Sequence, residues 1–171
     1  MLTEAPALCP GPFLPLRADE TRIRKTGKKI PSAQWGPDLL SPPFHVNLQY
    51  GVRYLHGSVL LPLHQQYGVS ARAVPVWFEE AAPVRRPGKK AAPEQTKAYR
   101  KAVREKNLST QTVALFQAMR QRVDEAGGAD KRLAWALDGS FGNRTVFNAE
   151  VERTRLIART RKDAKLCHPA T

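Results

Sequence analysis

The clearest hydrophobic feature of the chain is the run Leu133-Ala-Trp-Ala-Leu137, which contains no charge and no polar break. Apolar residues in succession, rather than in alternation, predict a strand buried on both faces, as in the middle of a parallel sheet. Asp138 closes the run, and Gly139 and Gly142 follow it. In open α/β sheets, ligands bind beyond the carboxyl ends of the strands. Asp138 is therefore expected where the chain leaves the core and chemistry is usually done.

Other segments carry weaker patterns. Residues 16–23 read as a short strand ending near the acids Asp19 and Glu20. Residues 44–50 alternate apolar and polar positions, as a half-exposed strand does, while residues 52–66 fit either a strand or a helix. Residues 71–78 read as a further strand, with Pro75 requiring an edge position or a bulge. A charged helix with a thin apolar face (Tyr99, Val103) is predicted over 94–106. Ser109 then caps a second helix, in which Val113, Phe116, Met119 and Val123 recur at helical spacing and Gly127-Gly128 stops the element. That stripe reads as core. Val146, Phe147 and Val151 face a short crossover helix, and Leu156-Ile157-Ala158 form the next parallel strand. The predicted order is three early strands, a helical stretch, a fourth strand ending in an acid, a short helix and a fifth strand. Periodicity thus gives an α/β fold with a mixed sheet.

The breakers divide the rest. Pro6, Pro10, Pro12 and Pro15 make residues 1–15 an irregular lead-in to a single domain over 16–171. Residues 81–93 form a basic loop rich in Pro and Gly, equally suited to being a solvated linker or a DNA contact. No internal repeat is visible.

Charge narrows the partner. The 171 residues include 28 Lys and Arg against 15 acids, a net charge of +13. That excess points to a polyanion, nucleic acid first, with a generally basic solvated surface as the plainer alternative. Cys9 and Cys167 stand alone, without a CxxC or a nearby histidine pair. They suggest neither a disulfide framework nor a zinc site, and they fit a reducing cytoplasm. No apolar run approaches the ~18 residues of a membrane span, and the N-terminus lacks the features of a signal peptide. A cytoplasmic protein without membrane association is expected. His45, His56 and His64 are irregularly spaced and read as surface or core residues. Ser140 does not sit in a nucleophile elbow, no glycine-rich phosphate loop is present, and Trp35, Trp77 and Trp135 read as packing residues.

Two segments carry a resemblance. Leu137-Asp138-Gly-Ser-Phe-Gly-Asn-Arg-Thr-Val146, with the basic run 156–166 behind it, resembles the second-aspartate region of DDE-type insertion-sequence transposases (DDE superfamily endonucleases). Ala18-Asp19-Glu20-Thr21, followed by Lys25-Thr-Gly-Lys-Lys29, is similar to their first-aspartate strand. The resemblance implies an RNase H-like mixed sheet with flanking helices, incomplete at the C-terminus. It implies that Asp19 and Asp138 are catalytic carboxylates sharing Mg²⁺ or Mn²⁺ at the ends of neighbouring parallel strands. Phosphodiester cleavage needs an activated water and relief of charge on the phosphorus oxygens, which two cations ~4 Å apart supply. Hard cations take oxygen ligands, hence carboxylates. The resemblance implies that water attacks first and that the freed 3′-hydroxyl then attacks target DNA.

Lys25, Lys28, Lys29, Arg144, Arg159, Arg161, Lys162 and Lys165 are the expected DNA contacts, for transposon ends and target. The family's third carboxylate belongs on a helix after the fifth strand. Glu150 and Glu152 precede that strand, and Asp163 follows it too closely. The expectation is therefore a partial, C-terminally truncated catalytic domain, inactive alone and able to pair with itself or with a full-length transposase. The alternative is a non-catalytic DNA-binding remnant or regulator of such a transposase.

Overall fold

A computed structural model describes residues 4–9, 11–27, 29–38, 40–42, 45, 47–62 and 71–160. Its centre is β1 (Phe13–Arg24), which pairs with β3 (Leu48–Pro62) on one side and β5 (Arg132–Leu137) on the other. The β1–β3 pairing is antiparallel and the β1–β5 pairing is parallel. Beyond β5, β6 (Thr154–Ala158) adds a second parallel pair. The outer edge of β3 is shared by β2 (Gln34–Pro37) near its start and β4 (Ala71–Glu80) along the rest, both antiparallel. The result is an α/β protein with one mixed, open six-stranded sheet.

The core lies on one face. Leu14, Leu16 and Ala18 of β1, Leu55 and Val59 of β3, and Leu133, Trp135 and Leu137 of β5 are all buried. They meet Leu115, Phe116, Met119 and Val123 of α3 (Leu108–Glu125). The ring centroids of Phe116 and Trp135 are 4.7 Å apart and tilted by 39°, a geometry that adds about 0.5–1.5 kcal/mol beyond area burial. Phe116, Met119 and Val123 of the predicted stripe thus lie on the core face of α3, joined by Leu115 and Thr112, whereas Val113 is only half-buried at its margin. Gly127, at φ +81, ends the helix.

Several expectations need correction. The run 133–137 is buried on one face only. Arg132 and Ala136 are exposed and Ala134 is half-buried, because only one side of β5 meets α3; alanine's small side chain hides the alternation. Ser109 is not the cap of α3. Asn107 is, accepting a hydrogen bond from the Thr110 backbone N–H at 2.9 Å. The ambiguous residues 52–62 are strand, and β2 makes four early strands instead of three. Asp19 sits in mid-strand. The lead-in holds a helical turn, α1 (Ala5–Leu8), whose Ala5 joins the core beside Cys9, and β1 begins at Phe13.

Other expectations hold. The register of β4 against β3 shifts between Gly57 and Ser58, opposite Pro75 and Trp77, so Pro75 sits at a bulge on an edge strand. Residues 81–92 form no helix or strand, and α2 (Pro93–Glu105) buries no residue, in keeping with its thin apolar face. The crossover helix is the short α4 (Arg144–Phe147), with Val146 buried. No helix among the described residues is long and apolar enough to cross a membrane.

Candidate functional site

The β1–β5 register ends with Ala18 beside Leu137. The next residue on each strand is Asp19 and Asp138. Side chains alternate along a strand, and Ala18 and Leu137 point into the core. Asp19, within β1, therefore falls on the face turned away from α3, while Asp138 opens the loop just past the end of β5. Two acids distant in sequence thus follow the last registered pair of neighbouring parallel strands.

Each is held differently. Asp19 Oδ2 accepts a hydrogen bond from the Arg17 guanidinium at 2.5 Å, an ion pair two positions apart along one face of β1. Its Oδ1 accepts from the Glu20 backbone N–H at 2.9 Å. The Asp19 side chain is 25% exposed. Asp138 is exposed, and its Oδ1 accepts from both the backbone N–H (2.7 Å) and the hydroxyl (2.5 Å) of Ser140.

The segment after Asp138 works as an anchored loop. Phe141 is 1% exposed, buried in the core. The Phe141 N–H donates to the Asp138 carbonyl at 3.2 Å. Asn143 caps α4 by accepting from the Val146 N–H, and its side-chain amide donates to the Ser109 hydroxyl on α3 at 2.9 Å. Gly139 and Gly142 pass close to the Arg159 carbonyl, which would lie 3.4 and 3.3 Å from an added Cβ. The glycines thus permit the close approach of this loop to the chain leaving β6. Ser109, expected as a helix cap, is instead a tether for the loop.

Arg144 opens α4 and Arg159 follows β6, and both are exposed at the strand ends that carry Asp138. Lys25, half-buried, and Lys29, exposed, lie beyond the end of β1, farther along the sheet from Asp19. Lys28, Arg161, Lys162, Asp163, Lys165 and Cys167 lie outside the described residues, as do Phe44, Val46 and His64.

His56 is the residue that sequence reasoning passed over. It is the registered β3 partner of Asp19 and therefore shares its face. Only the strand register reveals this, and nothing in the spacing of the histidines signals it. Trp35 was also misread. At 67% exposure it is not a packing residue, whereas Trp135 is fully buried and Trp77 packs beneath the Arg122 guanidinium at 4.4 Å.

Carboxylate oxygen is the donor type a hard divalent cation takes, and both Asp19 oxygens are engaged here, by the Arg17 guanidinium and the Glu20 N–H. No group of three or more His, Cys, Asp or Glu side chains is gathered for a metal among the described residues. Glu150 and Glu152 lie in the segment that leads into β6, at the opposite end of the strand from Arg159. They are remote from Asp138, as expected. No protein-family model, curated protein or solved structure matches this chain.

Proposed function

We propose that this chain carries part of the catalytic domain of a DDE-type insertion-sequence transposase, with an RNase H-like sheet and a DNA substrate. The observation that carries the reading is that Asp19 and Asp138 each follow the last registered pair, Ala18 and Leu137, of two neighbouring parallel strands. The strand order supports it, with antiparallel early strands around β1 and parallel later strands β5 and β6. So does the net charge of +13.

The chain's own residues divide the work. Asp19 and Asp138 would hold Mg²⁺ or Mn²⁺, which supplies an activated water and offsets charge on the scissile phosphate when bound. Ser140 orients Asp138 through two hydrogen bonds to one oxygen, leaving Oδ2 to face a ligand. Arg17 fixes the Asp19 rotamer. Arg144 and Arg159 flank the same strand ends, where cations would position phosphates without reading bases.

The test combines metal and DNA on the full chain. Mn²⁺ should raise the thermal midpoint of the wild type, since a ligand of the folded state stabilises it by mass action. Asp19→Asn with Asp138→Asn should abolish that rise. An identical Mn²⁺ response in both proteins would sink the catalytic reading. A non-catalytic DNA-binding role is the second reading, favoured by the Arg17 guanidinium that already occupies Asp19 Oδ2 at 2.5 Å. It predicts salt-sensitive DNA binding that survives Asp138→Ala, without any response to metal.

A further inference from the structure

A cleft of about 650 Å³ lies at the far end of the sheet, where β1 ends beside the start of β3 and its partner β2. Arg24, Lys25, Thr26, Trp35, Asp38 and Tyr50 are among its walls. Trp35 and Tyr50 are registered partners across β2 and β3, with ring centroids 5.6 Å apart and planes at 53°. Trp35 leaves two thirds of its surface to solvent on an edge strand, so most of its aromatic face is open beside Tyr50.

The charges beside these rings are mostly positive. Arg24 and Lys25 face one acid, Asp38, whose Oδ1 accepts a hydrogen bond from the Leu40 N–H at 3.0 Å. A ligand fitting this cleft has a planar π face for Trp35 and Tyr50 and an anionic group for Arg24 and Lys25. An unpaired nucleotide has both. A duplex offers phosphates but keeps its base faces stacked inside.

The cleft is continuous with the face that carries Asp19. Tyr50, Tyr54 and His56 alternate onto one side of β3, and His56 is the partner of Asp19. Tyr54 stacks with Phe78 at 4.5 Å and 20°, and Phe78 is 57% exposed. From Tyr50 to His56 is about 20 Å along the strand. Aromatic rings are thus spaced along a path from the cleft to Asp19.

We infer that the Trp35–Tyr50 cleft binds single-stranded DNA, stacking an unpaired base on Trp35 while Arg24 and Lys25 hold the adjoining phosphates. The inference rests on DNA being the partner, but not on the carboxylates being catalytic. Trp35 is on the surface, so its replacement leaves the fold intact.

The experiment measures binding of a fluorescent oligothymidylate and of a duplex of equal length to the full chain. Oligothymidylate should bind and quench tryptophan emission. Trp35→Ala should weaken the single strand about 5- to 150-fold, the range set by one base–aromatic stack. Duplex affinity should stay within about twofold, and Trp35→Phe should retain most single-strand binding, because phenylalanine keeps a π face. Thermal unfolding of each variant checks the fold.

If Trp35→Ala leaves oligothymidylate affinity unchanged, or weakens both DNAs equally, this inference is overturned while DNA binding stands. Tighter binding of oligouridylate than of oligothymidylate overturns DNA as the occupant. Failure of the wild type to bind either DNA at low salt overturns both this inference and the DNA reading above.

Discussion

Asp138 owes its position to residues that do no chemistry. Ser140 grips one carboxylate oxygen, Phe141 is sunk in the core, and Asn143 both caps α4 and reaches Ser109 on α3. Removing the anchor should therefore cost more than removing the grip. Phe141→Ala is expected to destabilise the protein by about 3–5 kcal/mol, the usual cost of deleting a fully buried aromatic ring. Ser140→Ala, at an exposed position, should stay within about 0.5 kcal/mol. Urea unfolding of the two variants checks this, and equal midpoints would refute it. The place of Asp138 at the end of a buried strand was legible because the acid closes an apolar run. The individual duties of Ser140, Phe141 and Asn143 were not, since they depend on how α3 and the chain beyond β6 pack around the loop. His56 was illegible for a related reason. Its place opposite Asp19 is set by the β1–β3 register, which no local pattern encodes.

Among the elements, α3 was the most legible because Phe116, Met119 and Val123 recur at helical spacing on one buried face. Its polar anchor was hidden. Arg120 lies between two core positions with only 5% of its surface exposed. Its guanidinium donates to the carbonyls of Lys131 (2.7 Å) and Gly128 (2.9 Å) and pairs with Asp124 at 2.5 Å. Asp124 also pairs with Arg153 at 3.0 Å. Arg153 has φ 50, in the left-handed region, and its carbonyl accepts from the Leu133 N–H. One charged network thus ties the end of α3 to the starts of β5 and β6. From sequence, an arginine in a basic protein reads as surface, and only the tertiary packing makes it internal. Arg120→Ala should cost about 1–3 kcal/mol, since the Lys131 carbonyl loses the guanidinium while Asp124 keeps Arg153 and the Gly128 carbonyl keeps the Lys131 N–H. Arg120→Lys should rescue little, because an ammonium cannot span three acceptors with a planar fork. Thermal denaturation of the two variants measures this; a lysine variant as stable as the wild type would rule out the fork geometry as the cause.

At the scale of the whole molecule, the sheet is covered unequally. Alternation assigns Leu133, Trp135 and Leu137 to α3 and sends their neighbours to the other side. There Ile157 is 64% exposed, Phe78 57%, Phe13 43% and Ile23 40%. An exposed apolar face of this kind favours association, while a net charge of +13 opposes it. The two terms respond oppositely to salt. Screening length falls from about 10 Å at 0.1 M to about 3 Å at 1 M, which removes repulsion between copies and leaves apolar contact unopposed. Under the proposed DNA-binding reading, the same screening weakens attachment to DNA, because phosphate contacts release counterions. Raising salt should therefore drive self-association while releasing bound DNA. Sedimentation velocity across a salt series reads both trends on one sample. Ile157→Lys should shift self-association to higher salt without altering stability by more than about 0.5 kcal/mol, since the position is on the surface. A monomer that persists unchanged at 1 M salt would mean that the face turned away from α3 is not adhesive, and that exposure of Ile157 and Phe78 carries no tendency to pair copies of the chain.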